Sequence, residues 1–446
     1  MSRWLWNYGS VGYARQTALN TENTTDGDFT WCPGEFSVPE VTRQLFDIAS
    51  KTGAVGAFQA PVFGAKRPTI TVKRPVYGFK ASYDPTAAEP GVTTGQVDAG
   101  QVWLGLIMGS ASDSADSAAK LAKGVGLAIT DYTTATSGST YANNEVSSSA
   151  GSTITVATGH GTYYKVGQMV LFMASASDST PTVGWIKSIS GDVLTLVDAP
   201  GNAPSGNDKG FATAVAFQSS QQPQPMTIRV VGDQSAFKFG IVGCIPTKAK
   251  ISAQAGEPPM LEMTFEGVGV TVYSSGGGLQ ALTMTPKLPL PLVGNGAGRL
   301  TWGTYTGLSM SAQHGVKDLA IEIDCKYNDI MSHNVASGIS ERIVAERSIK
   351  VSMKWPRASG DTITSGDHAW ETAIASGTGY QLALYAGSAA GGIFSALFPN
   401  LHQAEAPKLV DDGGVLYDEL VFRPGVWALD GASTNAGNSN VRFGWG

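Results

Sequence analysis

Charged side chains are scarce in this chain of 446 residues. Asp, Glu, Lys and Arg make up 15% of it, against roughly 25% in typical soluble domains. A protein with so little charge often covers part of its surface with copies of itself, because charge is depleted at the centre of such interfaces. The formal net charge of −6 makes the chain a poor nucleic-acid binder, since that affinity comes from Lys and Arg neutralising phosphates.

Cysteine is scarce as well. Cys32, Cys244 and Cys325 lie far apart and form no CxxC pair. An odd number of widely separated cysteines excludes a disulfide framework and a thiolate metal site. This usage is typical of a protein that assembles in a reducing compartment.

The sequence also lacks a recognisable targeting segment and a membrane-spanning segment. The N-terminal sequence MSRWLWNYGSVGY lacks the apolar core of a signal peptide. The chain also has no run of about 18 apolar residues that could cross a membrane. We therefore expect a soluble protein, made in the cytoplasm and without a membrane partner.

Motifs for catalysis and for cofactor binding are missing too. The sequence contains no Walker loop and no GxSxG, and its five histidines occur singly, without metal-ligand spacing. Asp411 and Asp412 precede two glycines, a pattern that favours a tight turn over a metal or acid–base pair. The tryptophans lack the interleaved basic residues of a stacking groove for single strands. We predict no enzyme activity, no catalytic, metal or cofactor-binding residues, and no cofactor.

The patterns that are present favour strands. Apolar and polar residues alternate with a period of two, the signature of half-buried strands, in residues 67–76, 226–232, 318–327, 342–355 and 380–385. Helical spacing predicts short helices over residues 38–49, 97–112 and 367–375. The predicted fold class is mainly β with a few short helices, in β-sandwich or barrel-forming domains.

Two stretches share one plan. Residues 240–273 and 392–427 each read as an apolar strand, a proline corner at Pro246 or Pro399, a polar strand, a turn and an alternating strand. Because a missed repeat leads to the wrong fold, we interpret the chain as a duplicated β unit. Loops are predicted over residues 82–95 and 328–340.

Composition gives the domain boundaries. Residues 1–35 form a predicted N-terminal arm that packs on another surface, such as that of a neighbouring subunit. A discontinuous first β domain spans 36–149 and 211–275 and is interrupted by a small inserted β module over 150–210, which follows a Ser/Thr/Gly-rich linker over 130–151. Residues 276–299 form a linker, and 300–446 form the second β domain. Insertions into exposed loops are tolerated at little cost, so we expect the module to project outward.

The repeated stretch resembles the tail tube proteins of long-tailed bacteriophages. The similarity is carried by the segments FGIVGCIP (239–246), ISAQAGEPP (251–259) and LEMTFEG (261–267). It is strongest over 225–275, weaker over 300–427 and absent from the first 35 residues. The inserted segment from 166 to 200 resembles small β modules that decorate phage virion proteins.

The resemblance implies a structural virion protein without enzyme activity. Its domains would be β-sandwiches with a flanking helix, closing into rings that stack as a channel for phage DNA. The implied partners are copies of the chain, other tail proteins (tape measure, terminator and distal tail) and DNA that passes without specific binding. With two units per chain, a trimer of pseudo-sixfold symmetry is expected, and a hexamer is the alternative.

One strand face gains a candidate role from this resemblance. Asp318, Glu322 and Asp324 share one face of the strand predicted over 318–327, and in a tube they would face the lumen and repel DNA phosphates. The alternative is an ordinary solvated strand face. Two further alternatives for the whole protein stay open: another β-rich virion component, such as a capsid or head-decoration protein, and an extracellular carbohydrate-binding or hydrolytic β protein.

Overall fold

The chain folds mostly into antiparallel β-strands, which confirms the predicted mainly β class. The computed structural model describes residues 10–25, 29–32, 35–37, 40–46, 62–77, 99–109, 141–142, 146–164, 166–167, 169–173, 181–206, 208–211, 214–217, 223–232, 237–255, 257–273, 298–304, 311–312, 316–357, 374, 376–377, 379–387, 392–425 and 440–445. The predicted loop over 82–95 and most of the predicted linker over 276–299 lie outside these residues. So does the predicted helix over 367–375, apart from Ile374.

The N-terminal part contributes five strands and one helix: β1 (Ser10–Arg15), β2 (Thr30–Cys32), β3 (Glu35–Phe36), β4 (Glu40–Phe46), β5 (Val62–Pro75) and α1 (Ala99–Met108). Helix α1 confirms the prediction over 97–112 and buries its apolar face, with Trp103 and Leu106 fully covered. Strand β1 lies inside the fold, where Val11 is buried and the strand pairs with residues 226–231; the prediction that residues 1–35 form an N-terminal arm stays a prediction.

The helix predicted over residues 38–49 is wrong. Strand β4 occupies residues 40–46 of this segment and pairs antiparallel with β5, with Glu40 opposite Thr69 and Phe46 opposite Val62. The helical spacing of the apolar residues is overridden because β5 offers a row of backbone hydrogen-bonding partners. Local propensity is a weak signal against such tertiary pairing.

A separate seven-stranded sheet follows. Its strands are β6 (Tyr141–Ala142), β7 (Val146–Ala150), β8 (Thr153–Val156), β9 (Met169–Met173), β10 (Thr182–Ser190), β11 (Val193–Leu196) and β12 (Lys209–Phe211), in the spatial order β6-β12-β9-β10-β11-β8-β7. The sequence Ser190-Gly191-Asp192 predicts a hairpin over residues 186–196, and the structure confirms it: Ser190 pairs with Val193, and Gly191 turns the chain at a φ of 57°. Strand β7 lies in residues that were predicted to be linker, so the linker prediction over 130–151 is wrong there.

Five further strands complete the first half: β13 (Ala214–Phe217), β14 (Met226–Gly232), β15 (Phe237–Gln254), β16 (Met260–Glu266) and β17 (Gly269–Tyr273). The proline corner predicted at Pro246 is instead a register shift within β15, between Pro246 and Lys248. Up to Cys244 β15 pairs with β14 and β17; from Ile245 onward it pairs with β16, and from Lys248 also with residues 318–324 of the second half. The strand therefore changes partners without ending.

The second half contains nine strands among the described residues: β18 (Gly298–Thr304), β19 (Ser311–Ala312), β20 (Asp318–Met331), β21 (Ile339–Pro356), β22 (Gly379–Ala386), β23 (Phe394–Gln403), β24 (Lys408–Asp412), β25 (Val415–Pro424) and β26 (Arg442–Trp445). The loop predicted over 328–340 is too long. Because β20 and β21 keep pairing up to Met331 opposite Ile339, only residues 332–338 connect them. The corner predicted at Pro399 is again internal to a strand, β23.

The two halves repeat the same strand pairings. In the first half these are β1·β2, β1·β14, β14·β15, β15·β16, β15·β17, β16·β5 and β4·β5. In the second half they are β18·β19, β18·β22, β22·β23, β23·β25, β23·β26, β25·β21 and β20·β21. The seven-stranded sheet lies between α1 and β14 along the chain. The domain boundaries themselves remain predictions.

Candidate assembly surface

Asp318, Glu322 and Asp324 lie on β20, between β15 and β21. Their side chains are 34%, 38% and 48% exposed. The intervening residues Ile321 and Ile323 point to the opposite face and are buried in the core. This arrangement matches the predicted half-wet strand with a period of two.

Lysines flank these acids, which the sequence alone did not reveal. Nζ of Lys250 lies 3.2 Å from Oε1 of Glu322, and Nζ of Lys354 lies 3.3 Å from Oδ2 of Asp318. Exposed cross-strand pairs of this kind stabilise a sheet by about 0.2–1 kcal/mol each. The surface is therefore a lattice of alternating charge rather than an acidic patch, and its orientation toward a lumen remains a prediction.

The alternation continues straight across the sheet. Residues directly opposite each other on β3, β5, β16, β15, β20 and β21 form what we name the first charge row: Glu35, Lys73, Glu262, Lys250, Glu322 and Lys350. Every neighbouring pair in this row has opposite signs. The register of six strands is thereby favoured, since a slip by one residue would turn each charge toward the core.

A second charge row crosses the other half of the sheet. It consists of the mutually opposite residues Asp318, Lys354, Glu419 and Lys408 on β20, β21, β25 and β24. The signs alternate again. The row ends at Lys408, on the last strand of the sheet that is described on this side.

The two rows are staggered. The first charge row begins at Glu35, opposite Lys73, and reaches β20 at Glu322. The second row leaves β20 four residues away, at Asp318. Asp318 begins the second row as Glu35 begins the first, so the pattern is displaced by four residues over the four steps from β3 to β20. This displacement of one residue per strand is the ratio that gives a strand tilt of about 36° in an eight-stranded barrel of shear 8. Such a stagger is what closing a sheet into a barrel requires.

The junction between the halves is a continuous antiparallel pairing of β15 with β20. Seven residue pairs form it, from Lys248 opposite Asp324 to Gln254 opposite Asp318. On its core face Ile251 lies opposite Ile321, and both side chains are 1% exposed. The two halves therefore associate edge to edge and share one hydrophobic core.

A buried ion cluster locks the β20–β21 hairpin to the first half. The Arg342 side chain is 3% exposed; its Nη2 donates to Oε1 of Glu266 at 2.6 Å, and its Nε lies 3.0 Å from Oδ1 of Asp329. Arg67 contacts both carboxylates. Breaking a buried pair by removing one partner costs about 3–5 kcal/mol, so Arg342 holds the hairpin in place.

The seven-stranded sheet also packs on the second half. Trp185 is buried beside Tyr385 and Leu397, and its Nε1 donates to Oγ of Ser395 at 2.8 Å. Nearby, the hydroxyl of Tyr385 donates to Asp198 at 2.9 Å. Burial raises the pKa of the Asp198 carboxyl, against the opposing attraction of the Arg299 guanidinium, which lies 3.0 Å away. The module is thus seated on β22 and β23.

Two sheet edges are exposed and apolar. On β24 Leu409 is 54% exposed, and on β4 Val41 is 40% exposed. Within the described residues β24 pairs only with β25, and β4 only with β5. Open apolar edges are template sites for pairing with another chain. Sequence reasoning missed the β4 edge because it took that segment for a helix, and it predicted a polar strand at β24 without showing that this strand lies at an edge.

The described part of the chain shows no arrangement for metal or thiol chemistry. It contains no group of three or more His, Cys, Asp or Glu residues placed to hold a metal ion. Cys244 and Cys325 are free and buried, and burial raises the pKa of both thiols. None of the described helices is long and apolar enough to span a membrane.

Comparisons with known proteins leave the family open. No protein-family model matches the sequence, and no curated protein matches it.

Proposed function

We propose that the chain is a structural virion protein, the major tail tube subunit of a long-tailed bacteriophage. Its copies form rings that stack into a channel through which phage DNA is delivered. It acts as a building block without catalysis and without a cofactor. Its site of action is the tail of the virion, after assembly in the host cytoplasm.

The observation that carries the proposal is the edge-to-edge pairing of β15 with β20. This pairing joins two halves that repeat the same strand connections, and the stagger of the charge rows is that of a closing barrel. A ring removes exposed sheet edges by pairing each one with a neighbour. The β15·β20 pairing supplies one such junction inside every chain.

The two halves of the chain set the expected symmetry. Three chains, each with two units, make a ring of pseudo-sixfold symmetry, and six chains per ring is the alternative. The remaining partners are the tape measure, terminator and distal tail proteins, and DNA that slides through without specific binding. The alternating face of β15, β20 and β21 suits such sliding because its lysines are compensated by carboxylates.

Electron microscopy of the purified protein in negative stain tests the proposal. Hollow tubes of stacked rings, with three or six copies per ring, are the expected result. Closed shells would instead support a capsid role. Separate copies that bind when capsids are added would support a head-decoration role. A protein that stays monomeric at high concentration would contradict the tail tube role.

A further inference from the structure

The two halves carry the same charges at matched positions. In the first half Lys250, Glu262, Lys73 and Glu35 follow one another across four strand segments. In the second half Lys408, Glu419, Lys354 and Asp318 do the same. The match is fixed independently by the core, where the fully buried Phe265 and Phe422 lie opposite Ile70 and Val351. Counting from these anchors makes Lys408 the counterpart of Lys250.

The same count identifies the counterpart of Glu322. Glu322 lies opposite Lys350 on β21, and the residue of β5 that matches Lys350 is Thr69. Opposite Thr69 lies Glu40, on β4. Glu40 therefore holds in the first half the position that Glu322 holds in the second.

The pair Lys250–Glu322 is formed within the chain, whereas its counterpart pair is not. Lys408 lies on β24 and Glu40 on β4, and each of these strands has one edge that no other described strand pairs with. The residues that follow each member of these pairs differ in the same way between the two halves. Ile251, after Lys250, and Ile323, after Glu322, are 1% exposed. Their counterparts are Leu409, 54% exposed, and Val41, 40% exposed. A surface that is covered at one junction is uncovered at the equivalent one.

We propose that β24 of one chain pairs antiparallel with β4 of a second copy, with Lys408 opposite Glu40 of that copy. This rests on the proposed function, from which it takes only that copies of the chain associate. The pairing repeats the β15·β20 junction and covers Leu409 and Val41. Because the two edges differ, the contact is head-to-tail, the kind that closes into a ring when the rotation permits.

Symmetric pairings of the same edges fit less well. Two β24 strands meeting around Lys408 would bring lysines together, and two β4 strands meeting around Glu40 would bring carboxylates together. Like charges directly opposite each other destabilise a sheet. The alternating rows thus select β4 as the partner of β24.

Cysteine cross-linking tests the pairing on the full-length chain. The variants Lys408→Cys and Glu40→Cys are made in a Cys32→Ser background and oxidised separately and as a mixture. Directly opposite residues on antiparallel strands have Cβ atoms about 4.5–5.5 Å apart, close enough for a disulfide after a small shift. We expect a covalent dimer from the mixture, little from either variant alone, and none when exposed Ser190→Cys replaces Lys408→Cys.

The outcomes separate this inference from the proposed function. Tubes or rings in the microscope without a cross-link in the mixture would overturn the pairing and leave the function standing. A cross-link from particles that are not tubes would support the pairing and contradict the tail tube. Dimers formed as readily by Lys408→Cys alone would overturn the head-to-tail contact.

A charge exchange gives a second, independent readout. Lys408→Glu and Glu40→Lys each place like charges at the junction, so each should raise the concentration needed for assembly by about fivefold or more. The double variant restores opposite signs at the junction and should assemble at a lower concentration than Lys408→Glu alone, since both variants carry the same like-charge pair of residue 408 with Glu419 inside the chain. Failure of the double variant to recover, with both single variants folded, would overturn the direct contact.

Discussion

Nη2 of Arg342 lies 2.6 Å from Oε1 of Glu266, so a buried guanidinium of the second half is held by a carboxylate of the first. A second bond from Nη1 of Arg342 to the Glu266 carbonyl oxygen, at 3.1 Å, fixes the orientation. Asp329 and Arg67 complete the cluster. Arg342 thus ties the β20–β21 hairpin to Glu266 at the end of β16, in addition to the backbone pairing of β15 with β20.

Replacing this arginine tests its role as a clamp. Arg342→Met keeps the apolar stem but leaves Glu266 and Asp329 with only the half-exposed Arg67 as a cation. We expect the free energy of unfolding to fall by about 3–5 kcal/mol, measured by denaturant titration. Arg423→Met, at an exposed position on β25, is the matched control and should change it by about 0.5 kcal/mol or less. Equal effects of the two variants would show that the cluster does not hold the halves together.

Neutralising the acids of β20 tests the sliding surface. The triple variant Asp318→Asn, Glu322→Gln and Asp324→Asn should still assemble, because each lost pair contributes only about 0.2–1 kcal/mol. It removes the β20 carboxylates that lie beside Lys248, Lys250 and Lys354 and so makes the face more positive, which should let DNA phosphates bind the surface. We expect slower genome ejection from reconstituted particles, with a delay that shrinks as salt screens the lysines.

A lysine variant of the same face is the control for the triple acid variant. Changing Lys248, Lys250 and Lys354 to Gln removes the same ion pairs but leaves the face acidic. Ejection should then keep its normal rate. If both variants slow ejection equally, lost pairing is the cause; if neither does, the face does not line the channel.

The sequence predicted most strands of the sheet but not how they meet. Alternation predicted β20 and β21 because each has one wet face and one buried face, and it identified Asp318, Glu322 and Asp324. It could not show that Lys250 would lie opposite Glu322, because β15 and β20 are far apart along the chain. Register is a property of the pairing, not of either strand alone.

The errors have the same physical origin. Residues 38–49 have helical spacing of apolar side chains, yet β5 supplies a partner that turns them into an edge strand. Pro246 and Pro399 predicted corners, yet each strand tolerates its proline beside a register shift where its partners change. The prolines correctly indicated an irregularity in each strand, but the pairing with neighbouring strands determined that it is a register shift and not a corner.

Shortening the connection between β20 and β21 tests whether this connection contacts the next ring of a stacked tube. Residues 332–338 follow Ile330 and Met331, whose side chains are 42% and 60% exposed, and Ser337 Oγ donates to Oδ1 of Asn20 at 2.6 Å. Replacing 332–338 with Asn-Gly, a sequence suited to a two-residue hairpin turn, should leave folded subunits that no longer polymerise into long tubes. Electron microscopy and circular dichroism measure the two properties. Normal tubes from this variant would place the stacking contact elsewhere.

The substitution Gly161→Ala tests whether the seven-stranded sheet is needed for assembly. A Cβ atom at this position would lie 1.8 Å from the carbonyl oxygen of Gly191, in the β10–β11 turn. The adjacent Asp192 carboxylate accepts the N–H groups of Gly159 and Gly161, each at 3.0 Å, which lowers the pKa of Asp192. Gly161→Ala must therefore displace a turn that is tied to its own backbone.

We expect Gly161→Ala to destabilise the seven-stranded sheet by about 1–3 kcal/mol, seen as faster proteolysis between Tyr141 and Phe211. Gly206→Ala is the control, since a Cβ there meets nothing nearer than 3.9 Å. If the module projects outward from the tube, Gly161→Ala should still form tubes. If tubes are lost together with the module, its seat on Tyr385 and Leu397 is required for the second half to present β24 to its neighbour.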